Sequence, residues 1–225
     1  NNGTILQSDL RVTNAGYDSG NAHLLYNNSQ YFLSWFDDRN TIENNGSEIY
    51  AGVINAQGQL IGTDQRITDL DGTNSGSIAT FNSTDNEYAL VWADKLLEPT
   101  NYTLLFARAD TTAKKITSEK YLSSSGNVYH WPNIHWIASK NKYFLIWSQS
   151  DNTSIRNLHY GFTDKNGVFT NPSIEIVTGN SVQALDSQVA DSFSTIVYTS
   201  YISSNRKDLL LTFICLYISN TLFPN

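Results

Sequence analysis

The feature that most constrains this chain is a short apolar run with an aromatic anchor, which the sequence repeats. The run occurs at residues 31–37 (YFLSWFD), 88–94 (YALVWAD) and 143–149 (YFLIWSQ), and a divergent copy with tyrosine in place of tryptophan occupies residues 194–200 (STIVYTS). The anchors recur at intervals of roughly 55 residues, and a period of this kind indicates an array of one supersecondary unit.

The first complete repeat predicts the strand content of each unit. A strand ends at the polar turn 28–30, the tryptophan run follows, a third strand occupies residues 48–54 after a long polar loop, and a fourth begins at Gln59. The tryptophan run is apolar throughout rather than alternating, which is typical of a strand covered on both faces. Four antiparallel strands per unit, repeated about an axis, predict an all-β fold: a β-propeller of about four blades.

The repeated motif also resembles a known one. Residues 86–92 (NEYALVW) and 141–147 (NKYFLIW) fit the pattern Asn-x-Tyr-h-h-h-Trp, where h is apolar, and residues 48–50 (EIY) fit the strand that follows it. This pattern is similar to that of bacterial secreted β-propeller repeat proteins. The resemblance implies the propeller fold and a location that is secreted, periplasmic or at the cell surface. It implies no reaction, since the activity of that family is mostly unknown.

The repeats run nearly end to end, which favours a single propeller domain over residues 1–225. Residues 4–13 (TILQSDLRVT) nearly copy the fourth strand at 59–68 (QLIGTDQRIT), whereas the last repeat lacks such a strand. We therefore expect the N-terminal strand to complete the last blade, because an open sheet edge is unfavourable. A fragment of a longer propeller is the alternative. The predicted repeats are about 14–68, 69–122, 123–178, and 179–225 plus 1–13.

Composition excludes several classes of function. A net charge of −7 and a pI near 4.9 argue against nucleic acid as a partner, because binding it requires a basic surface. The most apolar run, residues 209–223, is too short and too polar to span a bilayer as a helix. Cys215 is the only cysteine, so an intrachain disulfide is excluded. We expect a monomer or a weak oligomer.

Loop lengths predict which side of the propeller carries function. The turns after the first and third strands of each repeat are short, whereas the connections after the second and fourth strands are long. We call the side with the long connections the long-loop face, and long loops on a rigid scaffold commonly carry binding sites. This face is acidic, and Asp37, Asp38 and Asp94 directly follow tryptophan strands. Asp37 and Asp94 occupy the same repeat position, so a role in holding a turn competes with a role in binding.

Residues 129–136 (YHWPNIHW) form the one aromatic cluster that is not repeated. Aromatic rings with a polar edge suit sugar binding, while core packing and a zinc site with His23 are the alternatives. The predicted ligand-binding residues are Asp37, Asp38, Asp94, Tyr129, His130, Trp131 and His135.

Residues 69–74 (DLDGTN) resemble the start of a calcium loop. Asp69, Asp71 and Asn74 are the candidate ligands, but the loop lacks a downstream glutamate, and a polar turn is the alternative. The sequence predicts no other cofactor.

The function expected from these features is a non-catalytic extracellular module that binds a carbohydrate or a protein through the long-loop face. Two alternatives belong to other classes. One is a glycoside hydrolase or lyase that uses propeller carboxylates as its acid and base. The other is a structural repeat segment of a larger surface protein.

Overall fold

The computed structural model describes residues 9–13, 16–27, 29–40, 46–69, 72–96, 102–123, 128–150, 156–177, 182–189, 193–203 and 206–215. The strands among them form four antiparallel sheets, in which the strand order follows the chain. The fold is therefore all-β, and the predicted β-propeller of about four blades is confirmed. None of these residues belongs to a helix that is long and apolar enough to cross a membrane.

The strands of each sheet, or blade, have the following bounds. Blade 1 contains β1 (Ser19–Tyr26), β2 (Tyr31–Asp37), β3 (Glu48–Ile54) and β4 (Leu60–Arg66). Blade 2 contains β5 (Gly72–Asn82), β6 (Glu87–Leu96), β7 (Thr103–Ala109) and β8 (Lys120–Tyr121). Blade 3 contains β9 (Val128–Ile137), β10 (Lys142–Ser150), β11 (Asn157–Thr163) and β12 (Ile174–Val177), with a short 3-10 helix (Ala138–Lys140) after β9. Blade 4 contains β13 (Gln183–Val189), β14 (Phe193–Ser203) and β15 (Arg206–Cys215).

The first strands of successive blades, β1, β5, β9 and β13, contact one another and are the inner strands. The Ala79 amide of β5 donates a hydrogen bond to Nδ1 of His23 in β1 (3.3 Å). The Trp136 amide of β9 donates to Oγ1 of Thr80 in β5 (3.1 Å). We call the space that these strands border the central channel.

The repeated tryptophans are core residues, as their recurrence predicts. Trp35, Trp92 and Trp147 are 1%, 0% and 2% exposed, respectively. Trp92 belongs to the apolar cluster shared by blades 1 and 2, and Trp147 to the cluster shared by blades 2 and 3. The runs of β6 and β10 therefore form the middle of the core, since alternate residues of each strand belong to the apolar clusters on its two faces.

The tyrosine of the repeated motif links each blade to the preceding one. The Tyr88 ring of blade 2 stacks on the Phe32 ring of blade 1, with centroids 4.1 Å apart. The Tyr88 hydroxyl accepts a hydrogen bond from Asn27 Nδ2 (2.7 Å). The Tyr143 hydroxyl of blade 3 likewise accepts one from Asn82 Nδ2 of blade 2 (3.2 Å). The buried ring supplies apolar area and the hydroxyl still finds a partner, which explains why tyrosine stands here.

The asparagine of the motif has a backbone role. Asn86 and Asn141, which precede the second strands of their blades, have φ angles of 56° and 52°. Asparagine tolerates this left-handed region better than most residues, because its short polar side chain bonds locally. The Asn-x-Tyr spacing thus combines a tight turn with the first buried residue of the next strand.

The predicted closing strand lies mostly outside the described residues. Of residues 4–13, only residues 9–13 are described, and they form no strand. Leu10 and Val12 instead line a groove on blade 1, beside the exposed Leu24. Within the described part of the chain, blade 4 has three strands and its completion by the N-terminal segment is not observed. The segment packs its apolar side chains on blade 1, where apolar surface is exposed.

Replacement of Gly167 by alanine is expected to lower the free energy of unfolding by about 2–4 kcal/mol, measured by urea denaturation. Gly167 has a φ of 70°, and a Cβ atom there would lie 2.7 Å from the Phe106 ring of the neighbouring blade. Gly62→Ala is the matched control, because Gly62 has a φ of 75° and no atom within 4 Å of its Cβ position. The control should lose only about 1–2 kcal/mol from its backbone conformation. Equal losses would contradict this account of the blade contact.

Candidate functional site

Every inner strand carries a break in register beside the repeated aromatic anchor. The breaks fall between Gly20 and His23, Asn74 and Ser77, His130 and Asn133, and Ala184 and Asp186. Such bulges add a residue to one strand and redirect side chains without disturbing the rest of the ladder. All four lie in the half of the inner strand that is nearer the long-loop face, at the entrance to the central channel.

The residue at the bulge of blade 3 is unusual for its backbone conformation. Asn21 and Gly76, at the bulges of blades 1 and 2, have φ angles of 45° and 103°. Glycine and asparagine adopt positive φ readily, but Trp131 has a φ of 47°. A bulky residue in this region is an outlier, and such strain occurs preferentially at functional sites.

Trp131 is the centre of a group that we call the aromatic platform. The residue is 37% exposed, and the centroid of its indole ring lies 4.9 Å from the Arg156 guanidinium carbon. The His130 ring is 5.1 Å from the Trp131 ring and 5.2 Å from the Tyr102 ring. Burial, followed by the charge of Arg156, lowers the pKa of His130 to about 4, so its ring is neutral at neutral pH. The platform therefore presents rings and hydrogen-bonding groups together on the long-loop face.

The structure divides the predicted aromatic cluster into parts. Tyr129 is only 5% exposed and belongs to the core between blades 2 and 3, so it offers no ligand surface. Sequence reasoning missed two members of the platform: Tyr102, which directly precedes β7 of blade 2, and Arg156, which directly precedes β11 of blade 3. A signal for Tyr102 was absent, because it stands alone after a polar loop.

His135 lies deeper, in the central channel. Its Nε2 is 2.7 Å from the Ser187 hydroxyl, which is 2% exposed. Burial lowers the pKa of His135 to about 4, and the charge of Asp186 opposes this effect only in part. Burial also lowers the pKa of His23, against the same opposing charge of Asp186. Blades 1, 3 and 4 thus bring together two neutral imidazoles, a hydroxyl and an exposed carboxylate.

Asp38 and Asp18 form an acidic pair on the rim of blade 1. The Asp38 amide donates a hydrogen bond to the Asp18 carbonyl oxygen (3.0 Å), so the two residues are neighbours where β1 begins and β2 ends. Burial raises the pKa of the Asp38 carboxyl, and the charges of Asp18 and Asp37 raise it further. Asp18 is exposed. The Asp38 carboxyl therefore holds its proton more strongly than an isolated aspartate does, whereas Asp18 is open to solvent.

Asp37 has a structural environment. Its carboxylate accepts hydrogen bonds from Trp35 Nε1 (3.1 Å), Ser19 Oγ (3.1 Å) and the Arg39 guanidinium (2.7 and 2.9 Å). Burial alone would raise the pKa of Asp37, but the hydrogen bonds from Arg39 and Trp35 outweigh it and hold the pKa below its usual value. The side chain is fully buried, so it orders the rim and does not meet a ligand.

Asp37→Asn is expected to lower the free energy of unfolding by about 1–3 kcal/mol at pH 6, because it weakens hydrogen bonds to a charged partner. A carboxylate with a depressed pKa in the folded state stabilises the protein above its unfolded pKa, and this contribution disappears as the pH falls through the folded pKa. The difference between wild type and variant should therefore shrink on acidification below pH 4, in urea denaturation at several pH values. Asp64→Asn, which removes the more exposed partner of Arg39, is the control and should cost about 0–1 kcal/mol.

Asp94 occupies the same repeat position as Asp37 but has a different environment. Its side chain is fully buried, and neither carboxylate oxygen has a hydrogen-bond partner of normal geometry. Burial, then the charges of Glu48 and Glu119, raise its pKa to about 7, which the nearby amides of Thr73 and Lys95 offset only in part. A buried group cannot contact a ligand on the long-loop face.

The predicted calcium loop is only partly described, since Asp71 lies outside the described residues. Asp69 is mostly exposed and pairs with Lys115. The Asn74 amide nitrogen donates to the Ser47 carbonyl oxygen across the blade junction (2.7 Å). In the described ranges, no group of three or more His, Cys, Asp or Glu side chains is arranged to hold a metal ion. The zinc alternative with His23, His130 and His135 is therefore not supported there.

Several solved structures similar to this one are enzymes that act on carbohydrates. An N-acetylgalactosamine deacetylase from F. plautii has a TM-score of 0.55 and 7% identity, covering 82% of this chain and 63% of its own. A GH43 endo-arabinanase from Bacillus licheniformis has a TM-score of 0.52 and 15% identity, with coverages of 86% and 72%. An exo-β-1,3-galactanase from Phanerochaete chrysosporium has a TM-score of 0.58 and 12% identity, with coverages of 84% and 46%. The chain thus spans less than two thirds of the first of these proteins.

No protein-family model and no curated protein sequence matches the chain. The structural neighbours share the fold at identities too low to transfer an activity by themselves. They nevertheless overturn the prediction of a non-catalytic binding module, because the neighbours are enzymes that act on carbohydrates. The alternative of a glycoside hydrolase is the better supported one.

Proposed function

We propose that the protein is a glycoside hydrolase whose substrate binds on the long-loop face, at the entrance to the central channel. The observation that carries this proposal is Trp131, a partly exposed indole held at positive φ at a bulge where the neighbouring blades have asparagine and glycine. Its contacts with His130 and Arg156 fix the ring orientation. A rigid exposed indole presents a flat apolar face, which suits the apolar face of a pyranose or furanose ring.

The acid and base are assigned to the rim of blade 1. Glycoside hydrolysis requires a protonated carboxyl group that donates to the leaving oxygen and a second carboxylate that acts on water or on the sugar. Asp38 fits the donor, because burial and the neighbouring carboxylates raise its pKa, which is the direction that a general acid requires. Asp18 fits the second group, because it is exposed and adjacent. Pairs of carboxyl groups with contrasting environments are typical of such acid and base roles.

The charge of the protein favours a neutral polysaccharide as substrate. The chain carries a net charge of −7, and the rim holds the carboxyl groups of Asp18 and Asp38. A polyanion would be repelled by this surface, whereas a hydroxyl-rich neutral sugar can donate hydrogen bonds to it. The endo-arabinanase and exo-β-1,3-galactanase among the structural neighbours act on substrates of this chemistry by their names.

A substrate panel tests the proposal. Purified protein is incubated with arabinan, β-1,3-galactan and xyloglucan, and released reducing ends are measured. We expect hydrolysis of at least one polymer, and Trp131→Ala should raise KM at least tenfold while leaving the melting temperature nearly unchanged. Tyr121→Ala is the control, since it removes an exposed ring on the short outer strand β8 and should leave KM as in the wild type. Absence of hydrolysis on the whole panel, or equal KM for both variants, would contradict the proposal.

The same proposal includes a location outside the cytoplasm, because polysaccharides do not enter cells intact. It also includes a single propeller domain over residues 1–225 and a monomeric or weakly oligomeric state in solution. Sedimentation velocity tests the oligomeric state, and fractionation of the native host tests the location.

A further inference from the structure

Buried oxygen atoms without hydrogen-bond donors collect at the junction of blades 1 and 2. Among the described residues, the unpartnered atoms include both carboxylate oxygens of Asp94, the amide oxygen of Asn74 and Oε2 of Glu119. Asp94 and Asn74 are 0% and 2% exposed, and the Glu119 side chain is 4% exposed. Buried hydrogen-bond acceptors normally have a donor, so several acceptors without one in the same region indicate that a binding partner is missing.

The three side chains come from different strands and segments of blade 2. Asn74 in β5 and Asp94 in β6 are direct cross-strand partners, so their side chains lie on the same face of the sheet. The Asn74 amide nitrogen is used in the bond to Ser47, which leaves its oxygen as the free atom. The charge of Glu119 acts on Asp94, as does that of Glu48.

The charges in this region do not balance. Glu48 is paired with Arg66 (2.6 Å), and Glu119 is paired with Lys115 (3.2 Å). Asp94 has no ion pair within the described residues. It is nevertheless as completely buried as Glu48, since both residues are 0% exposed. An uncompensated buried carboxylate is costly, so a positive charge is the missing partner that would offset it.

We propose that a calcium ion binds at this junction, held by the Asp94 carboxylate, Asn74 Oδ1 and Glu119 Oε2. The donors are all oxygens, two of them from carboxylates, which is the ligand chemistry that Ca²⁺ prefers. Backbone oxygens and water complete the coordination. Gly72 closes one side of the site, because a Cβ atom there would lie 2.4 Å from Asp94 Oδ1. The site shares only Asn74 with the calcium loop predicted from sequence, and the role of the ion is to offset the buried charge of Asp94 beside the junction of blades 1 and 2.

A protonated Asp94 is the rival explanation. A neutral carboxyl could donate a hydrogen bond to Asn74 Oδ1, which would remove the charge and satisfy both orphans. The charged groups around it are Glu48 with Arg66, and Glu119 with Lys115 and Asp69. A carboxyl whose folded pKa is raised stabilises the fold when protonated, so this arrangement loses stability as the pH rises through about 7. The two explanations thus differ in their response to calcium and to pH.

Calcium titration of protein freed of metal by chelator tests the proposal. At pH 7.5, Ca²⁺ at about a hundred times its Kd should raise the melting temperature by roughly 5–10 °C, and equal Mg²⁺ should do much less. Terbium luminescence excited through tryptophan should rise on binding, because Trp92 lies two residues from Asp94. Asp94→Asn should abolish both signals, and Glu119→Gln should weaken Ca²⁺ affinity at least tenfold. Asp85→Asn, which removes a carboxylate from the turn between β5 and β6, is the control and should respond like the wild type.

Each alternative outcome is decisive. If Ca²⁺ has no effect and raising the pH from 5.5 to 8 lowers the melting temperature of the wild type but not of Asp94→Asn, the protonated carboxyl is correct and the calcium site is overturned. A Ca²⁺ shift that persists in both variants places the ion elsewhere and equally overturns it. Should Asp94→Asn not fold, Glu119→Gln and terbium binding by the wild type decide. None of these readouts involves hydrolysis, so the calcium site and the proposed activity stand or fall separately.

Discussion

Asp38→Asn is expected to lower kcat on the polysaccharide substrate by about 10²–10⁴-fold, the usual contribution of a general acid. Burial and the charges of Asp18 and Asp37 raise the pKa of the Asp38 carboxyl, which is the direction that a general acid requires. An asparagine preserves the size of the side chain but cannot donate that proton as an acid. The measurement is kcat from initial rates of reducing-end release, on the polymer that the panel identifies.

The pH profile distinguishes loss of a general acid from loss of structure. Activity of the wild type should fall as the pH rises through the pKa of the donor, and Asp38→Asn should lack this alkaline limb. Asp85→Asn is the charge-matched control, because Asp85 lies in the turn between β5 and β6 and contacts Asn82 and Lys165. A profile of Asp38→Asn that keeps the alkaline limb would remove Asp38 from the role of acid.

Trp92→Ala is expected to lower the free energy of unfolding by about 3–5 kcal/mol, as large-to-small substitutions of buried aromatic residues do. The indole is completely buried and packs in the cluster that joins blades 1 and 2, with Tyr88 and Leu105 among its members. Removing it leaves a cavity that the rigid strands on both sides cannot collapse into. Guanidinium denaturation followed by far-ultraviolet circular dichroism measures the change.

Trp131→Ala provides the comparison within the same protein. Trp131 is 37% exposed, so the substitution removes little buried packing. If the backbone at residue 131 leaves its positive φ in the variant, the relief of strain also offsets part of the loss of stability. The loss should therefore stay below about 1.5 kcal/mol, the range of changes at partly exposed sites. Comparable losses for the two tryptophans would mean that the core is not organised around the repeated anchors.

The fold was predictable because the same residue types occupy the same packing positions in successive blades. Tyr88 and Tyr143 recur as blade-to-blade links, and Asn86 and Asn141 recur at positive φ in the preceding turn. Repetition makes these roles visible in the sequence, since chance does not place them at a fixed distance from a tryptophan. The prediction that the N-terminal strand completes the last blade depended on the similarity of two short segments. Such similarity does not indicate which blade a segment contacts.

The site was less predictable because its residues share no period. Arg156, Tyr102 and Trp131 are far apart in the sequence and meet through the arrangement of strands. Asp37 and Asp94 show the opposite problem, since equal repeat positions suggest equal roles. Their environments differ because Arg39 reaches Asp37, whereas no cation pairs with Asp94 in the described part of the chain. Pairing of this kind depends on loop geometry, which local patterns do not encode.

The bulges of the inner strands have a consequence for how such a protein can change its specificity. Pairing resumes below each bulge, at His23, Ser77, Asn133 and Asp186. A substitution at Asn21 or Trp131 therefore alters the rim without shifting any side chain of the blade to the opposite face. Gly76 is the exception, because a Cβ atom there would lie 2.8 Å from the Asn21 Cβ atom of blade 1. Substrate preference can thus evolve, or be engineered, at Asn21 and Trp131 without a change in the pairing that holds each blade together.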